Sequence, residues 1–97
     1  MIVVRVAMNI KPSDLSNFAA ACRENITESR KFDGCIKFEV FEDMHDANRL
    51  FLYEEWASLQ HFDAYRHSDY FKASGAVLFP MIDGAPDTAY YQGEAIQ

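Results

Sequence analysis

Residues 49–56 read RLFLYEEW, which in an extended chain puts Leu50, Leu52, Glu54 and Trp56 on one side and Phe51, Tyr53 and Glu55 on the other. Successive side chains of a strand point to opposite faces, so this strand is apolar on both. Such a strand belongs inside a sheet that is covered on each face. The 97 residues are enough for one domain, spanning 1–97, and not for two. Helices from so short a chain cover one face only. A second copy of the chain is the expected cover for the other, which predicts a homodimer.

The flanking sequence completes the sheet. Before the segment, residues 35–42 (CIKFEVFE) alternate with Ile36, Phe38 and Val40 on one face, and the polar run Asp43-Met44-His45-Asp46-Ala47-Asn48 makes a hairpin loop. Residues 2–10 (IVVRVAMNI) alternate strictly, with Ile2, Val4, Val6, Met8 and Ile10 together. Pro12 ends that strand. Ser13 is the expected cap and Asp14 suits the positive end of a helix running to about Arg30, with Leu15, Phe18, Ala19, Cys22 and Ile26 on one stripe. Asp33-Gly34 closes the connection. After the segment, Ser58 caps a short helix with Leu59 and Phe62 inward. A second short helix after His67-Ser68-Asp69 gathers Tyr70, Ser74, Val77 and Met81 and stops near Pro80, and residues 86–95 form the last strand. The order β-α-β-β-α-β predicts an α+β, ferredoxin-like domain: an antiparallel sheet with helices on one face.

Composition narrows the partners. Fifteen acidic residues against nine basic give a net charge of −6, and no basic run exceeds a pair. That balance repels phosphate backbones and anionic lipid surfaces, so neither nucleic acid nor membrane is an expected partner. No stretch approaches the ~20 apolar residues of a membrane span. The N-terminus enters a strand directly, so a cytoplasmic protein with Cys22 and Cys35 reduced is expected. There is no GxGxxG, phosphate loop, CxxC or nucleophile elbow, and His45, His61 and His67 lack the i,i+4 spacing of a helical metal pair. No cofactor and no metal are expected. Chemistry has to come from the polar lining of a pocket.

Three groups are candidates. Asn25 and Ser29 are mediocre helix formers, one turn apart on or beside the inward stripe. Each either bonds locally to backbone or lines a pocket. If both are only structural, alanine at either position should be nearly neutral. Glu54 lies on the apolar face of its strand with Trp56, so it is either ion-paired, with Arg5 or Lys37 within reach, or held as an acid or base. The run from Gln60 to His67, with Tyr70 beyond, offers hydroxyls and charge to a cleft under the helices or, equally well, an aromatic anchor with a solvated face.

These stretches, taken in order, resemble the antibiotic biosynthesis monooxygenase family. The likeness covers most of the chain: Asn25-x-x-x-Ser29, Gly34-Cys35-x-x-Phe38-x-Val40-x-x-Asp43, Tyr53-Glu54-x-Trp56 and Ser68-x-Tyr70-Phe71-Lys72. It implies a dimeric α+β barrel with a pocket between sheet and helices in each subunit. Some members oxygenate quinols or polyketide anthrones without a cofactor, some degrade haem, and one branch, similar in Asn25-x-x-x-Ser29 and Gly34, isomerises a phosphorylated autoinducer sugar derivative. Leu52 and Phe62 stand where anthrone oxygenases carry Asn and Tyr, Gly75 where haem degraders carry the iron-ligating His, and Tyr65 and Tyr70 where many members carry His. These departures argue against anthrone and haem chemistry.

The expected function is a cofactor-independent monooxygenase acting with O2 on a small quinol-like metabolite. Asn25, Ser29, Glu54, Trp56 and Tyr65 are the expected catalytic residues, and Tyr53, His61, Phe62, Arg66 and Tyr70 the expected substrate contacts. The alternatives are an isomerase of a small phosphorylated hydroxyketone and a protein that binds a small ligand without turnover. An RNA-recognition domain shares the element order, but the acidic charge and the missing aromatic signature oppose it.

Overall fold

A computed structural model describes residues 1–97. Four strands, β1 (Ile2–Asn9), β2 (Cys35–Glu42), β3 (Arg49–Trp56) and β4 (Asp87–Gln92), form one antiparallel sheet in the order β2-β3-β1-β4. Helices α1 (Leu15–Ser29), α2 (Leu59–Arg66) and α3 (Asp69–Leu78) connect them, and the ferredoxin-like α+β fold is the one the sequence predicts. The RLFLYEEW segment is an interior strand, paired on both sides.

In β1 and β3 the alternation holds. Ile2, Val4, Met8, Leu50 and Trp56 are buried under the helices with Phe38, and the core forms two adjoining clusters. One centres on Trp56, Phe62 and Tyr65, the other on Phe18, Ile10 and Leu50. The opposite face of the sheet carries Val3, Arg5, Ala7, Phe51, Tyr53, Phe41 and Tyr91, with Phe41 and Tyr91 about half exposed.

Three local expectations fail, each for an identifiable reason. Ile36 does not join Phe38 and Val40. A register shift between Cys35 and Lys37 makes Ile36 the extra residue of a bulge, so it is exposed while Cys35 turns toward the core. One inserted residue reverses every face upstream of it. Ser13 caps nothing: Pro12–Asp14 is a 3-10 turn in which the Leu15 N–H reaches the Pro12 carbonyl, so the backbone satisfies itself. Leu59, the first residue of α2, stays exposed, and the buried pair of that helix is Phe62 and Tyr65. Ser58 and Ser68 do cap α2 and α3, accepting from His61 N and Phe71 N.

Candidate active site

Between the inner face of the sheet and the helices lies a cavity of about 390 Å³, lined chiefly by apolar side chains. That volume suits a small organic molecule. Val4, Val6 and Met8 of β1, Val40 of β2 and Leu52 of β3 form its floor, and Phe71 and Leu78 of α3 form its roof. Each floor residue is there because of parity along its strand.

Glu54 is the exception on that floor. Its register neighbours are Val4 and Phe38, both buried, and the residue itself is 4% exposed. The carboxylate accepts one hydrogen bond, from Trp56 Nε1 at 2.8 Å. No cation answers it. Arg5 has the parity of the opposite face and bonds Tyr91 and Asp87, and Lys37 lies opposite Glu55. Burial therefore pushes the Glu54 carboxyl up to about 7, against the smaller downward pull of the indole N–H. At neutral pH this group both takes and gives a proton readily.

The polar residues of α1 meet side chains rather than backbone. Asn25 Nδ2 donates to Tyr70 Oη at 3.1 Å and to Ser74 Oγ at 2.9 Å, which leaves Oδ1 to accept. Ser29 is fully buried, and its hydroxyl shares a 2.9 Å bond with Tyr65 Oη. Tyr65 stacks on Trp56 with centroids 4.7 Å apart, and burial raises its phenol well above the usual range. The side-chain partner changes what alanine does at position 29. Ser29→Ala strands a buried hydroxyl and is expected to cost about 1–3 kcal/mol, whereas Ser29→Ala with Tyr65→Phe removes both partners and should recover most of it. Denaturant melts of the two single variants and the double test this. Additive losses would mean that the bond is not what the pair contributes.

The cavity thus gathers Asn25, Glu54, Phe62, Tyr65 and Arg66. Ser29 and Trp56 stand directly behind it, each holding a lining residue. Tyr70 faces the other side of Asn25. Two further expected substrate contacts, Tyr53 and His61, also lie outside the cavity. Tyr53 points to the opposite face of the sheet, where its hydroxyl donates to Glu55 at 2.5 Å, because its parity is opposite to that of Glu54. His61 packs over Gly34, with Nδ1 2.7 Å from Ser58 Oγ and Nε2 3.4 Å from Asp33. Arg66 is tied to Asp63 and lies over the Phe62 and Tyr90 rings.

Cys22, His67, Ser74, Thr88 and Tyr90 also reach the cavity. Thr88 and Tyr90 pair with Val6 and Val4, so alternation in β4 would have flagged them once its register was known. His67 Nδ1 lies 2.8 Å from the Asp63 carbonyl, which can only accept, so the neutral ring carries its proton there and keeps the Nε2 lone pair free. Both cysteines are free, and burial raises the Cys22 thiol to about 11. No three His, Cys, Asp or Glu side chains converge as a metal-ligand group, and no helix is long and apolar enough to cross a membrane.

Residues 1–76 match the family model described as antibiotic biosynthesis monooxygenase. No curated protein matches the chain. Among solved structures, a conserved protein from Methanosarcina mazei Go1 superimposes with a TM-score of 0.90 at 27% identity, covering 96% of this chain and 92% of that one. A structure described as an antibiotic biosynthesis monooxygenase gives 0.89 at 18% identity, covering 98% and 100%. A Mycobacterium tuberculosis protein gives 0.88 at 20%, covering 98% and 96%. The last two likenesses carry the fold.

Proposed function

Because the chain belongs to the antibiotic biosynthesis monooxygenase family, we propose that it is a monooxygenase of a small, electron-rich phenol of the quinol type, using O2 and no added cofactor. The observation that carries this reading is Glu54, a buried carboxylate poised near neutrality at the floor of an apolar cavity. The aromatic ring of the substrate lies between Val6, Leu52 and Phe71. Glu54 takes the proton of its hydroxyl, and the phenolate formed in this dry site is a stronger electron donor than the phenol. Asn25 orients the second hydroxyl. The quinol supplies the electrons: one oxygen atom enters the ring as hydroxyl, the other leaves as water, and the ring ends as a hydroxyquinone. A phosphorylated substrate is disfavoured, because Arg66 is already bonded to Asp63 and the walls are chiefly apolar.

The same reading assigns the open face of the sheet to a second copy of the chain. Phe51, Tyr53, Phe41 and Tyr91 share that face, with Phe41 and Tyr91 about half exposed, and a contiguous apolar patch of this kind supports a partner there. One preparation tests both parts. Sedimentation at micromolar concentration should return twice the chain mass. After chelator treatment, and with no flavin absorbance, oxygen uptake with a panel of quinols should yield one hydroxyquinone per O2 consumed. Stoichiometric hydrogen peroxide, or no uptake above the autoxidation rate, would refute the oxygenase, and a stable monomer would refute the dimer.

A further inference from the structure

We infer that the seam between α1 and α3 is a passage into the cavity, through which dioxygen reaches a substrate already bound there; this rests on the oxygenase reading above. Beside the large cavity is a separate depression of about 200 Å³ between these two helices. Asn25, Ser74 and Leu78 line both spaces, so they form the wall between them. The polar part of that wall is the 2.9 Å bond from Asn25 Nδ2 to Ser74 Oγ, steadied by the bond to Tyr70. Outside it the depression is walled by Ala21, Ala73 and Val77, with Glu24 among its lining residues.

Three properties fit a passage for a small apolar gas. The outer lining is mostly methyl groups, into which dioxygen partitions more readily than into water. Three of the side chains along the seam are small (Ala21, Ala73, Ser74), so a modest separation of the helices opens it. None of the ten residues of α3 is fully buried, whereas α1 buries three and α2 two, which makes α3 the least anchored helix and the one whose local opening costs least. Breaking one neutral hydrogen bond between side chains is a small obstacle, because its net worth in a hydrated protein is low. Asn25 would then serve twice, orienting the substrate on its inner side and gating the gas on its outer side.

Filling the depression tests the route without touching the cavity floor. Ala73 is exposed, so Ala73→Leu should fold normally, and Ala21→Leu closes the same space from α1. In steady-state kinetics with varied oxygen, each variant is expected to raise KM for O2 by about five-fold or more, with KM for the quinol and the rate at saturating oxygen unchanged. Xenon serves as a probe that needs no turnover. Under xenon pressure the methyl resonances of Ala21, Ala73 and Val77 should shift in the wild type, and the Val77 shift should vanish in Ala73→Leu. An unchanged KM for O2 in both variants, or xenon shifts confined to Val6, Leu52 and other cavity methyls, would overturn the passage while leaving the oxygenase standing. A wild type that consumes no oxygen with any quinol would overturn the parent reading and the passage with it, and the xenon shifts would then report only that the seam admits gas.

Discussion

Glu54→Gln is expected to lower quinol turnover by about 10²–10⁴-fold, the range for loss of a general base, and at pH 8 to raise stability. The two effects share one cause. Glu54 has no counter-ion, so its ionised form is poorly tolerated in the fold, and that same intolerance makes it a base near pH 7. In the unfolded chain the carboxyl loses its proton near 4.5, while in the folded chain it holds it to about 7. Between those values unfolding releases a proton, so stability falls as pH rises through the window, and above about 7 the full cost is present. A shift of this size corresponds to about 3 kcal/mol. Glutamine still accepts from Trp56 Nε1 but carries no charge, so this fall should be absent from its stability profile. Wild-type activity should rise with pH through about 7. Calorimetry at pH 5 and pH 8, beside oxygen uptake, decides the matter. A Glu54→Gln variant that keeps its activity, or that is less stable than wild type at pH 8, would remove Glu54 from the chemistry.

Gly34→Ala should be the most damaging small substitution in the chain. Gly34 has φ of +81°, which costs a side-chain-bearing residue about 1–2 kcal/mol. A Cβ built there also overlaps the His61 Cβ, Cγ and Cδ2, and displacing a packed group typically costs about 1–3 kcal/mol more. The expected loss is about 3 kcal/mol. It should reach the site, because His61 bonds the Ser58 cap at the start of the helix that carries Phe62, Tyr65 and Arg66. His61→Ala in the Gly34→Ala background removes the ring's share of the overlap but keeps the close Cβ contact, and should return part of the stability, leaving the backbone cost and that contact. Urea melts of the four proteins give the coupling directly. Additive losses, or a Gly34→Ala variant within about 0.5 kcal/mol of wild type, would show that the contact does not constrain the turn.

The strands and helices were legible because they rest on local rules. Strict alternation set the inner faces of β1 and β3, Ser58 and Ser68 capped the helices that the pattern placed after them, and Pro12 and Pro80 stand in the 3-10 turns that flank α1 and α3. The oddity of Glu54 was legible for the same reason: parity alone puts a carboxylate on an apolar face. What the carboxylate meets was not legible. Whether Arg5 or Lys37 reaches it depends on strand order and register, which are long-range facts, and both cations turned out to face away from it.

Alternation, capping and composition settle the elements, their order, the chain's acidic character and the short set of polar residues with no apolar reason to sit where they do. Which of those residues share a space is a matter of tertiary packing. It placed Tyr53 on the far side of the sheet and His61 against a glycine turn, and it brought Ser74, Thr88 and Tyr90 into the cavity from segments far away in the chain. It also revealed the bulge at Ile36, which no alternation pattern announces. The physical reason is one of range. Side-chain period, capping and turn chemistry act over a few residues, whereas register, strand order and the docking of α3 are settled by packing between residues distant in the chain, and a site is made of the latter.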